Sequence, residues 1–139
     1  GRHLCQHLLA NGYSVRAVTT DSRHVHEMRT IGPAMARCQW VHVPREAVNE
    51  DQWAETCDQV DVVLHLGARA HVLEDQGRNC DDLYQRANVD ATMALARQAL
   101  SAGVGRFVFV SSIGVNGDRT HGTPFRHDDA PAPHDSYSR

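Results

Sequence analysis

Several familiar landmarks are missing from these 139 residues. No apolar stretch approaches the roughly 20 residues that a bilayer span needs, so a membrane-spanning helix is excluded. No run of basic residues occurs and the formal net charge is -3, which leaves no electrostatic footprint for nucleic acid or for an anionic membrane surface. Cysteine is sparse. Cys5, Cys38, Cys57 and Cys80 are widely separated and form no Cys-x-x-Cys, so neither a zinc clip nor a disulfide framework is signalled, and scattered reduced thiols are expected. Histidine is plentiful at 10 residues, but the closest pair, His24 and His26, could share a face only on a strand and has no third ligand nearby, so no metal site is expected. Internal repeats and low-complexity tracts are also absent.

What remains is an ordinary globular composition, 41% hydrophobic, in a length that suits one domain. Leu4, Leu8 and Leu9 recur at helical spacing and Asn11-Gly12 supplies a left-handed stop, which predicts an opening helix. Ser14 to Thr19 alternates with β-branched residues and reads as a strand. The polar stretch through Arg29 suits a short helix or a loop, Trp40 to Val43 is a second strand stopped by Pro44, and Asp51 to Cys57 suits a short helix. Val60 to Leu66 is a near-continuous apolar run of the kind found where both faces of a sheet are covered.

Gly67 to Cys80 reads as a loop, after which Leu83, Ala87, Ala91, Leu95 and Ala99 mark one face of a long helix closed by Gly103-Val104. Phe107 to Val110 is the next buried strand. This alternation predicts a parallel α/β sheet with helical crossovers. Past Gly114 the chain becomes turn-rich over about twenty residues, longer than a mere connector requires, and loops of that length usually carry function.

Two features bear on chemistry. Gly1 precedes a helix, where a glycine lets backbone N–H groups approach an anion at the positive helix end, and the following Asn-Gly stop and strand give it a βαβ setting. Arg106-Phe-Val-Phe-Val-Ser-Ser112 is a strand that opens onto two hydroxyls, and Tyr137 follows in Pro133-His-Asp-Ser-Tyr137.

Three blocks make the chain resemble the extended short-chain dehydrogenase/reductase family, in its nucleotide-sugar epimerase/dehydratase branch. Val60-Asp-Val-Val-Leu-His-Leu-Gly-Ala68 is similar to the family's fourth strand. Asn88-Val-Asp-Ala-Thr92 is similar to its Asn-Val-x-Gly-Thr helix motif, with Ala91 where glycine is usual. Arg106 to Gly117 is similar to its strand and active-site serine block, and the Val-Asn-Gly ending is typical of a bacterial surface-polysaccharide subgroup.

The resemblance implies a Rossmann-type doubly wound parallel sheet, with residues 1–139 as a partial NAD(P)-binding domain truncated at both ends. The first, central strand would be missing, the substrate domain absent, and the family's lysine due two residues after Arg139. The implied catalytic residues are Ser112, which hydrogen-bonds the reacting sugar oxygen, and Tyr137, which moves its proton. The implied cofactor contacts are Gly1 as the third fingerprint glycine, Arg2, Thr19, Leu66, Gly67, Ala68, Asn88 as a backbone or cofactor contact, and Ser111.

Where NAD-preferring relatives carry an acidic residue at the end of the second strand, this chain has Thr19-Thr20, and Arg2 or Arg23 would supply charge for a 2′-phosphate. NAD and NADP therefore both remain open. Glu46 is a stand-in for the family's adenine-contacting aspartate. Because Ile113-Gly114 follows Ser112 where dehydratases carry an acidic pair, the implied reaction is epimerisation or 4-keto reduction of a nucleotide-linked hexose in surface-polysaccharide synthesis. The expected partner is the nucleotide sugar, the expected location is the cytoplasm, and the full-length protein is compatible with a homodimer. Other readings stay open: a non-catalytic NAD(P)-binding regulator of the same fold, a ketone reductase acting on a non-sugar substrate, or a fragment with no ligand.

Overall fold

The computed structural model describes residues 1–44, 47–70, 80–120 and 122–139. Helix α1 (Arg2–Ala10) buries Leu9 and ends at Gly12, whose φ of +83° a glycine adopts without strain. There the amides of Gly12 and Tyr13 reach back to the carbonyls of Leu9 and Leu8 at 3.3 and 3.1 Å. Strand β1 (Arg16–Thr19) follows. The segment that suited either helix or loop is helix α2 (Ser22–Thr30), started by Asp21, whose carboxylate accepts the Arg23 amide at 2.9 Å. A four-residue helix, α3 (Pro33–Ala36), begins on a proline and leads into β2 (Gln39–His42).

After β2, Asn49 and Gln52 form a capping box on a 3₁₀ turn, Glu50–Trp53, that runs into α4 (Ala54–Cys57) and then β3 (Val62–His65). The long helix expected from Asp81 is α5 (Cys80–Tyr84), a π turn (Gln85–Asp90) and α6 (Ala91–Ser101). Ala87, Ala91, Leu95 and Ala99 are buried as expected, while Tyr84, three residues before Ala87, takes the buried place expected for Leu83. Gly103, at φ +76°, ends α6, and β4 (Arg106–Phe109) follows.

The strands form two parallel pairs. β1 lies beside β2, with Arg16 opposite Gln39 and Thr19 opposite His42. β3 lies beside β4, with Val62 opposite Arg106 and His65 opposite Phe109, and the ladder continues through the Val110 amide to the His65 carbonyl at 3.1 Å. No strand ladder joins β1 to β3 among the described residues.

Two apolar clusters lie on opposite faces of β2, because successive side chains of a strand point to opposite sides. Trp40 packs with Leu9, Ala17, Met35 and Cys38, under α1 and α3. Val41 packs with Trp53, Cys57, Ala94 and Leu95, under α4 and α6. Helices therefore cover both sides, as a doubly wound sheet requires. The burial expected along β3 is only half realised: Val63 packs on the larger cluster, while Val62 and Leu64 are 46% and 38% exposed. Their side of the strand opens on a cleft. No helix among the described residues is long and apolar enough to cross a membrane.

Candidate functional site

The cleft has a volume of about 1180 Å³ and runs between β1 and β3. Its walls include Gly1, Thr19, Leu66, Gly67 and Ala68, so five of the residues expected to meet a dinucleotide come together. Gly1 stands at the start of α1, with no side chain capping that helix. The helix's first amides face the end where its dipole is positive. Thr19 closes β1, and its hydroxyl is engaged locally, donating to the Asp21 carbonyl at 3.1 Å and accepting the Asp21 amide at 3.2 Å.

Arg2, Asn88, Ser111, Ser112 and Tyr137 stand outside the walls of this cleft. Parallel register nevertheless places Ser111 and Ser112 on the same sheet edge as Leu66, Gly67 and Ala68, since each group follows directly on paired strand ends, His65 and Phe109. Ser112 is half-buried and caps a 3₁₀ turn, Ile113–Asn116, where its Oγ accepts the Gly114 amide at 3.2 Å. Ser111 beside it is exposed.

Tyr137 is half-buried in a turn built by Asp135, whose carboxylate accepts the Ser138 amide at 2.8 Å and the Ser138 hydroxyl at 2.6 Å. Those two bonds, the hydroxyl first, hold the Asp135 carboxyl below its ordinary range. Ser138, 5% exposed, brings this turn against the serine loop. A Cβ built on Gly114 would stand 3.2 Å from the Ser138 Cβ and 3.5 Å from the Ser112 Oγ. The backbone bond from the Ala132 amide to the Val115 carbonyl, at 2.8 Å, closes the same fold-back.

Asn88 makes the backbone contact of the two roles expected for it. Its Oδ1 accepts the Arg69 amide at 2.6 Å and its Nδ2 donates to the Arg69 carbonyl at 3.0 Å, which fixes the segment that carries Gly67 and Ala68. Sequence reasoning missed the residues that brace this edge. His65 stacks on Phe109 with ring centroids 5.8 Å apart, and its Nε2 lies 2.9 Å from the Thr92 Oγ1, tying β3 to α6. Burial pushes the His65 imidazole below its usual pKa. Arg69 lies over the Tyr84 ring at 5.9 Å. His65 and Thr92 sit inside two of the motif blocks, but nothing in the spacing joins them.

Asp21 was also passed over. It stands just beyond β1 and holds Arg23 through contacts of 2.7 to 3.2 Å, so Arg23, one of the two arginines expected to serve a 2′-phosphate, is paired with a carboxylate. That guanidinium draws the Asp21 carboxyl down to about 2. Glu46 lies outside the described residues. Cys5, Cys38 and Cys57 are free thiols; Cys5 and Cys38 share the smaller core, where the Cys38 thiol donates to the Val15 carbonyl at 3.4 Å and the neighbouring thiol draws Cys5 below its ordinary range.

Comparison with known proteins supplies the frame for this edge. A family model described as NAD dependent epimerase/dehydratase matches residues 1–139. A UDP-glucose 4-epimerase of Vibrio cholerae is 48% identical over 77 residues, which are 55% of this chain and 24% of that protein. A dTDP-glucose 4,6-dehydratase from Streptomyces venezuelae, solved with NAD bound, superposes with a TM-score of 0.78 at 26% identity over 99% of this chain and 44% of its own. A UDP-glucose-4-epimerase from Stenotrophomonas maltophila, solved with NAD and formylated UDP-arabinopyranose, gives 0.76 at 26% identity over 99% of this chain and 41% of its own. The chain thus spans less than half the length of these relatives. With strand pairing, the placement of the glycine and serine loops and the family match in agreement, the chain belongs to the NAD dependent epimerase/dehydratase family.

Proposed function

We propose that this chain forms the dinucleotide-binding and proton-transfer half of a cytoplasmic nucleotide-sugar epimerase or 4-keto reductase, one that serves surface-polysaccharide synthesis and takes NAD or NADP. The observation that carries the reading is the shared sheet edge: Gly67 and Ala68 follow β3 where Ser111 and Ser112 follow β4, and Ser138 packs the Tyr137 turn against the Ser112 loop. Ligands of open α/β sheets bind outside the carboxyl ends of the strands, where these loops lie.

The residues present fit a dinucleotide. Gly1 brings no side chain to the start of α1, where the first amides, uncapped by any side chain, and the helix dipole would attract a pyrophosphate. Small residues at 67 and 68 leave the end of β3 clear beside it, and Asn88 keeps that segment in place through Arg69. When bound, the nicotinamide supplies hydride transfer at the sugar carbon.

The protein's own part is the proton. A hydroxyl carries one donor and two acceptor lone pairs, and the Gly114 amide occupies one lone pair of the Ser112 Oγ. The Ser112 O–H would donate to the reacting sugar oxygen and fix its position, while Tyr137 as phenolate would take the sugar hydroxyl's proton on oxidation and, as the resulting phenol, return it on reduction. Tyr137→Phe in the full-length enzyme tests this. Turnover should fall by about 10²- to 10⁴-fold, with dinucleotide affinity unchanged. Near wild-type turnover on a nucleotide sugar would remove Tyr137 from the proton step.

A further inference from the structure

Tyr137 is flanked by two side chains that converge on one carboxylate at the far end of another element. The Ser136 hydroxyl donates to Asp81 Oδ1 in a short hydrogen bond, and the Arg139 guanidinium reaches Asp81 Oδ2 at 3.1 Å. Asp81 belongs to α5, 55 residues before Ser136 in the chain. On the other side of the turn, Ser138 packs against Gly114 in the serine loop. The tyrosine segment therefore has two independent anchors, one on the serine loop and one on α5. We propose that Asp81 is a positioning residue for Tyr137, holding the turn so that the phenol meets the substrate oxygen presented by Ser112; this rests on the proton-transfer role proposed above for Tyr137.

Magnitudes separate such a role from a merely structural one. Asp81 and Arg139 are solvent-exposed, with side chains 66% and 59% accessible, and exposed ion pairs contribute little to global stability. Reaction rates are far more sensitive to placement, since a displacement of about 1 Å costs on the order of 10²-fold. Loss of the carboxylate should therefore leave melting unchanged while it loosens one segment and slows one step. The Ser136 bond and the nearby Arg139 charge also keep the Asp81 carboxyl ionised well below neutrality, so the anchor persists across the working pH range.

The test uses the full-length enzyme as wild type and as Asp81→Ala, Asp81→Glu, Tyr137→Phe and the Asp81→Ala/Tyr137→Phe double variant. UDP-galactose, UDP-glucose and dTDP-glucose serve as probes, and amide hydrogen exchange is followed in parallel. Asp81→Ala should lower kcat by about 10- to 100-fold with dinucleotide Kd and Tm unchanged, and Asp81→Glu should recover part of the loss. In the Tyr137→Phe background the Asp81→Ala change should have no further effect, because a residue that acts only through Tyr137 is silent once the hydroxyl is gone. Exchange should speed up at residues 136–139 and stay constant in β4. If Tyr137→Phe retains turnover, or the wild type converts none of the three sugars, the proton-transfer reading fails and this inference with it. If Tyr137→Phe is impaired but Asp81→Ala has normal kcat, adds its loss in full to the double variant, or leaves exchange at 136–139 unaltered, the inference about Asp81 alone is overturned.

Discussion

Replacing Arg16 with methionine should lower the melting temperature by roughly 6–9 °C. Arg16 leaves β1 beside Gln39 of β2, accepting nothing and donating its Nε–H to the Gln39 Oε1 at 2.9 Å. Its Nη1 then reaches the carbonyls of Glu55, Thr56 and Asp58 at 2.8, 3.1 and 2.6 Å, at the end of α4. One cation thus ties the first strand pair to the segment that leads into β3. A hydrogen bond to a charged group is worth about 1.5–3 kcal/mol, but three acceptors share one nitrogen and the site is partly wet, so we assign about 2–3 kcal/mol to the whole cluster. For a chain of this size each kcal/mol corresponds to about 3 °C. Methionine keeps the apolar stem and so isolates the loss of the guanidinium. Arg16→Lys, which offers a point charge without the fork, should lose about half as much. Differential scanning calorimetry of the three proteins decides the matter: a methionine variant melting within about 1 °C of wild type would refute the assignment.

Asn88→Ala should remove the two bonds that Asn88 makes to the Arg69 backbone, costing about 2 kcal/mol and weakening dinucleotide affinity, with faster amide exchange at Arg69 as the direct readout. Gly117→Ala should destabilise by about 1–3 kcal/mol in urea titration, since its φ is +140° and a Cβ there would stand 3.2 Å from the Phe125 Cζ. For His65, burial lowers the folded-state pKa below that of the unfolded chain, so the unfolded state binds the extra proton first. Its contribution is full above the unfolded value near 6.5, is lost as pH falls from there towards the folded value, and is constant below it. His65→Phe should flatten that part of the stability profile, and an unchanged acid slope in urea titrations between pH 5 and pH 8 would show that other groups set it.

Much of this architecture is written in local pattern. The leucines of α1, the Asn-Gly stop, the β-branched runs and the glycine after α6 each act within a few residues, and each element stands within about two residues of its expected place. Helix α3 was not foreseen because four residues carry no periodicity. The π turn is not legible because the apolar spacing on both sides of it fits an ordinary helix. At the site, the serine pair and the glycine loop are legible because they follow strands directly. The braces are not: His65 to Thr92, Asn88 to Arg69 and Asp81 to Ser136 join residues 19 to 55 positions apart, and only the fold brings them together. Likewise Asp21 captures Arg23 through a cap geometry that a charge count does not reveal.

The cleft between β1 and β3 has a further consequence for how the two strand pairs are held together. Each of those strands is hydrogen-bonded on one side only among the described residues, so two rows of backbone donors and acceptors face the same gap. What joins the two strand pairs is side-chain packing, with Val41 of β2 and Val63 of β3 in one cluster, together with the Arg16 contacts to the end of α4. Side-chain packing tolerates small sliding that a backbone ladder forbids, so the two pairs should open to amide exchange as separate units.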